Sequence, residues 1–321
     1  MYNLEAKEDL AINSKLLLNS DEDTLENFFL EHGFSPDYVQ DMIRAVHEWY
    51  NKEPHLPAGQ IHDQMIARLL IARKFSIERV KQKIDNYFTV RHKMPELLRN
   101  RDPMAPHLNK VLKSGFWIIL PQKTPENHRV TMFRAPYSEG VIISDCFKAI
   151  FMMIDYRIWN DSVIFEQIIF DYSNATFLPT VMKQLTPALI WKTVHYLSEC
   201  LSPNIKGIHI INLPSIAAHA LNFIKKMIKP KVAERIHVYK NVQEVFNKFP
   251  KDIIPKDLGG TYDATCQDIA DAWERTLCTP QWRNYFIQQD SIHTEESKRT
   301  TKRNFLDDYG LDGSFTKLNI D

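Results

Sequence analysis

Between residues 116 and 239 the chain repeats one pattern: a short run of β-branched and aromatic residues, then a stretch whose apolar residues fall three and four apart. The runs are FWIIL (Phe116–Leu120), RVTMFR (Arg129–Arg134), VIFEQIIFD (Val163–Asp171), GIHIIN (Gly207–Asn212) and RIHVY (Arg235–Tyr239). Strands interleaved with helices close their apolar faces as a sheet flanked by helices, so the pattern predicts an α/β domain with a mostly parallel or mixed sheet. Residues 22–98 read instead as helices alone, from the spacing of Phe28, Val39, Met42, Ile43, Val46 and Trp49 and then of Met65, Ile66, Leu69, Leu70, Ile77, Val80, Ile84, Tyr87 and Phe88. Beyond Gly259 and Gly260 comes a helix-like segment with Ile269, Ala272, Trp273 and Leu277. A polar tail carrying Lys298, Arg299, Lys302 and Arg303 follows, expected to be disordered with its charges solvated. The organisation predicted is a helical unit over 1–100, an α/β unit over 101–262 and a C-terminal helix with polar tail over 263–321.

An α/β domain invites an enzymatic reading, and the motifs that would carry one are missing. The sequence has no G-x-G-x-x-G and no G-x-x-x-x-G-K-[ST], and its 9 glycines leave little material for a phosphate-cradling loop. No G-x-S-x-G elbow occurs, and His47-Glu48 lacks the second histidine of H-E-x-x-H. The four cysteines, Cys146, Cys200, Cys266 and Cys278, are never spaced as C-x-x-C, so neither a zinc site nor a disulfide framework is expected. Neither catalysis, metal nor cofactor is predicted.

Lys and Arg number 40 and Asp and Glu 40, so no global field draws the chain to nucleic acid and an anionic partner must meet a local patch. No stretch of about 18 apolar residues is present to span a bilayer. The first residues carry early acids and no basic n-region, so no signal peptide is expected and a cytoplasmic protein is.

The best local patch is IKKMIKPKVAERIHVY (Ile224–Tyr239). At 100° per residue, Ala217, Ala220, Leu221, Ile224, Met227 and Ile228 cover one arc of a helix over 214–229, and Ser215, His219, Asn222, Lys225, Lys226 and Lys229 the other. Periodicity leaves three roles open: an ordinary helix packed on the sheet, a helix lying on an anionic membrane, or the movable wall of an apolar cavity.

Four ordered segments, MIARLLIARKFSIERVKQKIDNYFTVRHKMPEL (Met65–Leu97), IKGIHIINLP (Ile205–Pro214), IKPKVAERIHVY (Ile228–Tyr239) and FPKDIIPKDLGG (Phe249–Gly260), resemble the CRAL-TRIO lipid-transfer family. The resemblance runs from about Asp41 to Ala272. It implies a helical N-terminal domain and an α/β domain whose sheet floors an apolar pocket, with the helix after Asn212-Leu213-Pro214 as a lid. The function implied is binding of one small hydrophobic lipid, of tocopherol, retinoid, carotenoid or isoprenoid type, and its transfer between membranes without chemical change. An alternative is a phosphoinositide-responsive membrane adaptor whose pocket only stabilises the fold.

Matched to pocket-lining segments of the family, the lipid-binding residues implied are Phe147, Ile150, Phe151, Ile154, Ile168, Phe170, Phe177, Thr193, Tyr196, Leu197, Ile208, Ile224 and Ile228, with Tyr196 able to offer a hydroxyl. Ile150 and Ile154 stand where tocopherol carriers have serines, and Asp171-Tyr172-Ser173-Asn174 replaces the usual D-x-x-G. The family's four-residue phosphoinositide site maps to Arg68, Lys231 and Arg235, with Asn204 at the fourth, normally basic, position and Lys206, Lys225, Lys226 and Lys229 nearby. Arg68, set on an apolar helix face between Met65 and Leu69, needs an anionic partner from protein or lipid.

Overall fold

The computed structural model describes residues 16–18, 24–134, 140–173, 178–201 and 204–300. Helices α1 (Thr24–Glu31), α2 (Pro36–Lys52), α3 (Asp63–Ala72), α4 (Ile77–Lys93) and α5 (Pro95–Leu98) come first. Local chemistry sets their ends. Ser35 accepts a hydrogen bond from the Tyr38 amide with Pro36 at the first helical position, and the apolar stripe Val39, Met42, Ile43 and Val46 turns inward.

After α6 (Pro106–Lys113) come β1 (Trp117–Lys123), β2 (His128–Arg134), α7 (Ile143–Asn160), β3 (Phe165–Asp171), α8 (Leu178–Gln184) and α9 (Pro187–His195). A π-helical turn, Tyr196–Leu201, continues α9 and leads into β4 (Asn204–Ile211), α10 (Ser215–Met227), α11 (Pro230–Ala233) and β5 (Ile236–Tyr239). The sheet runs β1-β2-β3-β4-β5, with β1 antiparallel to β2 and every other pair parallel. All five sequence runs are strands of this one mixed sheet. Pro121 falls where the β1 register shifts, on an edge strand that tolerates a missing amide donor.

Register fixes the two faces. Ile119, Thr131, Ile168, Ile208 and Ile236 line up across the sheet, with Trp117, Phe133, Phe170, Ile210 and Val238 as the next row on the same face. The opposite face carries Ile118, Met132, Ile169, His209 and His237. His209 on that face meets Phe249 edge-on at 5.6 Å, and α12 (Val242–Phe246) packs over β4 and β5.

The C-terminal part departs from the sequence expectation. Helix α13 (Cys266–Leu277), closed by a Thr265–Asp268 capping box, packs on α6 and β1 with Trp273 fully buried, and α14 (Pro280–Gln288) follows it. Residues 294–299 then run back to the helical unit: the Thr294 amide donates to the Phe88 carbonyl and the Glu295 amide to that of His55. Arg299, expected to be solvated, is only 5% exposed in its side chain and lies on Asp85, Thr89 and Glu296. Burial works against its charge, but Glu296 and Asp85 outweigh it and raise its pKa above the usual arginine value. Lys298 is exposed beside Glu295, and Lys302 and Arg303 lie outside the described residues.

Candidate functional site

A central strand of an α/β sheet is ordinarily covered on both faces. Here Phe133, Ile168, Phe170 and Ile208, all on β2, β3 or β4 and all on one face, are only half-buried. Phe133 packs against Phe170 at 5.5 Å and Tyr172 at 5.8 Å between ring centroids, extending an apolar floor toward the C-terminal ends of the strands.

Helix α10 is the amphipathic segment of the sequence, and it is under-packed. Only Ala217 is buried; Ala220, Leu221, Phe223, Ile224 and Met227 are half-buried, and Ile216 is exposed. It packs against α8 and α9. The helix stops two residues before the predicted end, because Pro230 removes a donor and Ile228 turns to an extended backbone. Ile228 is thus the C-cap and not a residue of the helical stripe. At the other end Asn212 adopts a left-handed backbone (φ 53°) and its amide donates to the Ser173 hydroxyl at 2.8 Å. Ser173 is held in turn by Asp171, so the altered Asp171-Tyr172-Ser173 turn anchors the start of the α10 segment to β3.

On α7, Phe147 stacks on Phe151 at 6.3 Å; Phe147 and Ile154 are half-buried, whereas Ile150 and Phe151 are buried. Phe151 meets Tyr196 edge-on at 4.8 Å. Tyr196 is wholly buried with its hydroxyl among Tyr87, Asp155, Arg91 and Arg101, and burial drives its pKa well above 10. Leu197 is half-buried, and Phe177 lies outside the described residues.

Two buried polar atoms stand out beside these apolar groups. Thr193 Oγ1 on α9 and Trp117 Nε1, on the floor row of Phe133 and Phe170, have no hydrogen-bond partner in the protein. Sequence reasoning missed Trp117, whose place beside Phe133 follows only from the β1–β2 register.

The basic groups separate into two places. Lys206, Lys231 and Arg235 gather at the N-terminal ends of β4 and β5. Lys206 sits 4.0 Å over the Phe165 ring, and its pKa is lowered by burial and then by Arg235 and Lys231. Arg235 donates to the Ile205 carbonyl, and Lys231 is exposed on α11 (Pro230–Ala233). Asn204 opens β4 opposite Phe165.

Arg68 belongs to a different constellation. Its guanidinium donates to the Asp161 carbonyl, and burial, only partly opposed by Asp161, lowers its pKa to about 10. Around it Arg129 grips Asp161 through Nε at 3.2 Å and Nη2 at 2.8 Å, while Arg157 spans Asp161 at 2.9 Å and Glu166 at 2.8 Å. Burial opposes the Asp161 charge, but the two arginines hold its pKa far below the usual carboxylate range. The sequence carried one hint of this network, the i,i+4 spacing of Arg157 and Asp161.

With this geometry in place, comparison with known proteins is informative. Residues 35–108 match a Pinta-like UBA domain and residues 114–260 a CRAL/TRIO domain. The chain is 26% identical over 231 residues to the alpha-tocopherol transfer protein-like protein of Homo sapiens, across 70% of this chain and 66% of that protein, and equally so to that of Pongo abelii. It is 23% identical over 232 residues to tyrosine-protein phosphatase non-receptor type 9 of Homo sapiens, covering 69% of this chain but 36% of the phosphatase. The crystal structure of Sfh5 superposes with a TM-score of 0.48 at 12% identity, over 86% of this chain and 99% of that one. The chain spans just under two-thirds of its tocopherol-transfer-like relatives and about a third of the phosphatase. It belongs to the CRAL-TRIO family of lipid-binding and transfer proteins, which are not enzymes.

Proposed function

We propose that this protein encloses a single small hydrophobic lipid between the sheet floor and α10 and carries it between membranes. The observation that supports this most strongly is the pairing of two incompletely covered apolar surfaces: Phe133, Ile168, Phe170 and Ile208 on the central strands, and the Leu221, Ile224 and Met227 side of α10. A lipid chain buried between such surfaces gains about 0.8 kcal/mol per CH₂, enough for tight retention while α10 is down. Thr193 Oγ1 and Trp117 Nε1, both buried without a protein partner, suit the polar end of such a ligand, since a few placed polar groups orient an otherwise apolar guest. Among the described residues no helix is long and apolar enough to cross a membrane, so exchange is assigned to transient surface contact in the cytoplasm.

Saturable binding of a fluorescent tocopherol or retinoid, with transfer between donor and acceptor vesicles, tests the proposal. Ile224→Glu on α10 should weaken retention at least tenfold. Non-saturable partitioning, unchanged in the variant, would remove the reading.

A second reading, a phosphoinositide-responsive adaptor, draws on the gathering of Lys206, Lys231 and Arg235, whose like charges already depress the Lys206 pKa. A polyphosphate headgroup would relieve that repulsion. Arg68 would join it only by turning from the Asp161 carbonyl. Flotation with phosphoinositide vesicles discriminates: Lys231→Glu with Arg235→Glu abolishes membrane binding and spares lipid capture if docking is the function.

A further inference from the structure

A second buried charge cluster sits where the helical unit meets the α/β unit. Arg91 of α4, Arg101 after α5 and Asp155 of α7 are 2%, 0% and 1% exposed. Arg101 Nη1 lies 2.7 Å from Asp155 Oδ2, and Arg91 Nη2 lies 3.5 Å from the same oxygen. The Tyr87 hydroxyl donates to Asp155 Oδ1 at 3.3 Å and accepts from Arg91. Two guanidinium ions therefore share one carboxylate. The other groups that face Arg91 most strongly are the phenols of Tyr87, Tyr196 and Tyr285. Burial raises all three above the ordinary value, Tyr87 to about 12, so they stay neutral and leave the second positive charge standing.

The hydrogen bonding is as incomplete as the charge. Nε and Nη1 of Arg91, Nε and Nη2 of Arg101 and the Tyr196 hydroxyl are buried without a protein partner. In the network of Arg129, Arg157, Asp161 and Glu166 no side-chain nitrogen is left so. Part of that difference comes from the Leu120 and Pro121 carbonyls, which accept from Arg129. A buried donor without a partner costs about 1–3 kcal/mol, and an uncompensated buried charge more. Water can answer the donors, but it carries no charge. We propose that a small inorganic anion of halide size is bound between Arg91 and Arg101, taken up as the chain folds and enclosed by Tyr87, Tyr196 and Tyr285. The site is separate from the lipid cleft and does not depend on what occupies that cleft.

Crystals of the full chain grown in sodium bromide and measured at the bromine edge test this directly. The expected result is an anomalous peak in contact with Arg91 Nη1 and Arg101 Nη2. The melting midpoint should also be higher in sodium chloride than in sodium gluconate at equal ionic strength. Each tenfold rise in chloride above its Kd should raise the folded-to-unfolded ratio about tenfold. Arg101→Met, which removes the excess charge, should abolish that dependence. Should that variant fail to fold, the wild-type crystal decides alone. No peak at the two arginines overturns the proposal, as do equal midpoints in the two salts or a halide effect that survives in Arg101→Met.

Discussion

The Arg299 guanidinium and the Asp85 carboxylate, 214 residues apart, meet in a bidentate pair, Nη1 to Oδ2 at 2.8 Å and Nη2 to Oδ1 at 2.9 Å. Two parallel N–H···O bonds on a charged pair fix direction as well as energy. Together with the amide bonds from Thr294 and Glu295, the pair ties the C-terminal segment to α4 and to the loop that carries His55.

Arg299→Ala leaves Asp85, 14% exposed, facing His55 without its strongest partner. The expected loss is about 2 kcal/mol, below the full cost of breaking a wholly buried pair. Urea unfolding gives the magnitude. Hydrogen exchange should show residues 294–299 and the middle of α4 losing protection first, whereas uniform or absent change would show that the segment is held by other contacts.

Gly207 and Gly260 should respond unequally to alanine. A β-carbon on Gly207 would fall 2.2 Å from Gln167 Oε1 and 2.8 Å from His209 Nε2, two side-chain ends that now hydrogen-bond at 3.1 Å. Those ends can move, so Gly207→Ala should cost about 1–2 kcal/mol, the loss of a buried polar contact. On Gly260 the added carbon would fall 1.9 Å from the Ile254 carbonyl oxygen, which is backbone. Gly260→Ala should cost at least about 3 kcal/mol or prevent folding. Combining Gly207→Ala with Gln167→Ala should recover part of the first loss, whereas additive losses would show that the two positions do not clash.

Stability should fall below neutral pH through His209. Burial first, then His237 and Lys248, lower its pKa from 6.5 to about 4. The folded state holds it neutral while the unfolded chain takes up a proton from pH 6.5 downward. Its contribution is therefore complete above pH 6.5 and lost as pH drops toward 4. That amounts to about 2 kcal/mol between pH 7 and pH 5. Guanidinium unfolding at both pH values should show the slope, and His209→Gln should flatten it; an unchanged slope would assign the effect to other groups, His62 first among them.

What could be read from the sequence followed local periodicity. Strands β1 to β5 were visible as β-branched runs, and α10 as an amphipathic stripe ended near a proline, because those patterns depend on neighbours a few residues away. The charged interior was not visible, because each partner comes from a distant element: Arg129 reaches Asp161 and Arg101 reaches Asp155 only after α7 has docked. Arg299 misled for the same reason, since a charge in a polar tail reads as solvated until Asp85 is seen beneath it. The floor of the cleft lies between these cases. Ile168, Phe170 and Ile208 could be matched by family resemblance, whereas Trp117 needed the register that sets it beside Phe133.

The central claim is that the half-covered face of β2 to β4 and the under-packed α10 enclose one lipid. Native mass spectrometry of protein purified gently from a lipid-rich source, followed by extraction and identification of the released molecule, measures this most directly. The account predicts one hydrophobic ligand per chain, lost when Phe170→Asp and Ile208→Asp place charge on the floor. Ligand-free protein that also fails to take up added tocopherol, retinoid or carotenoid would contradict it.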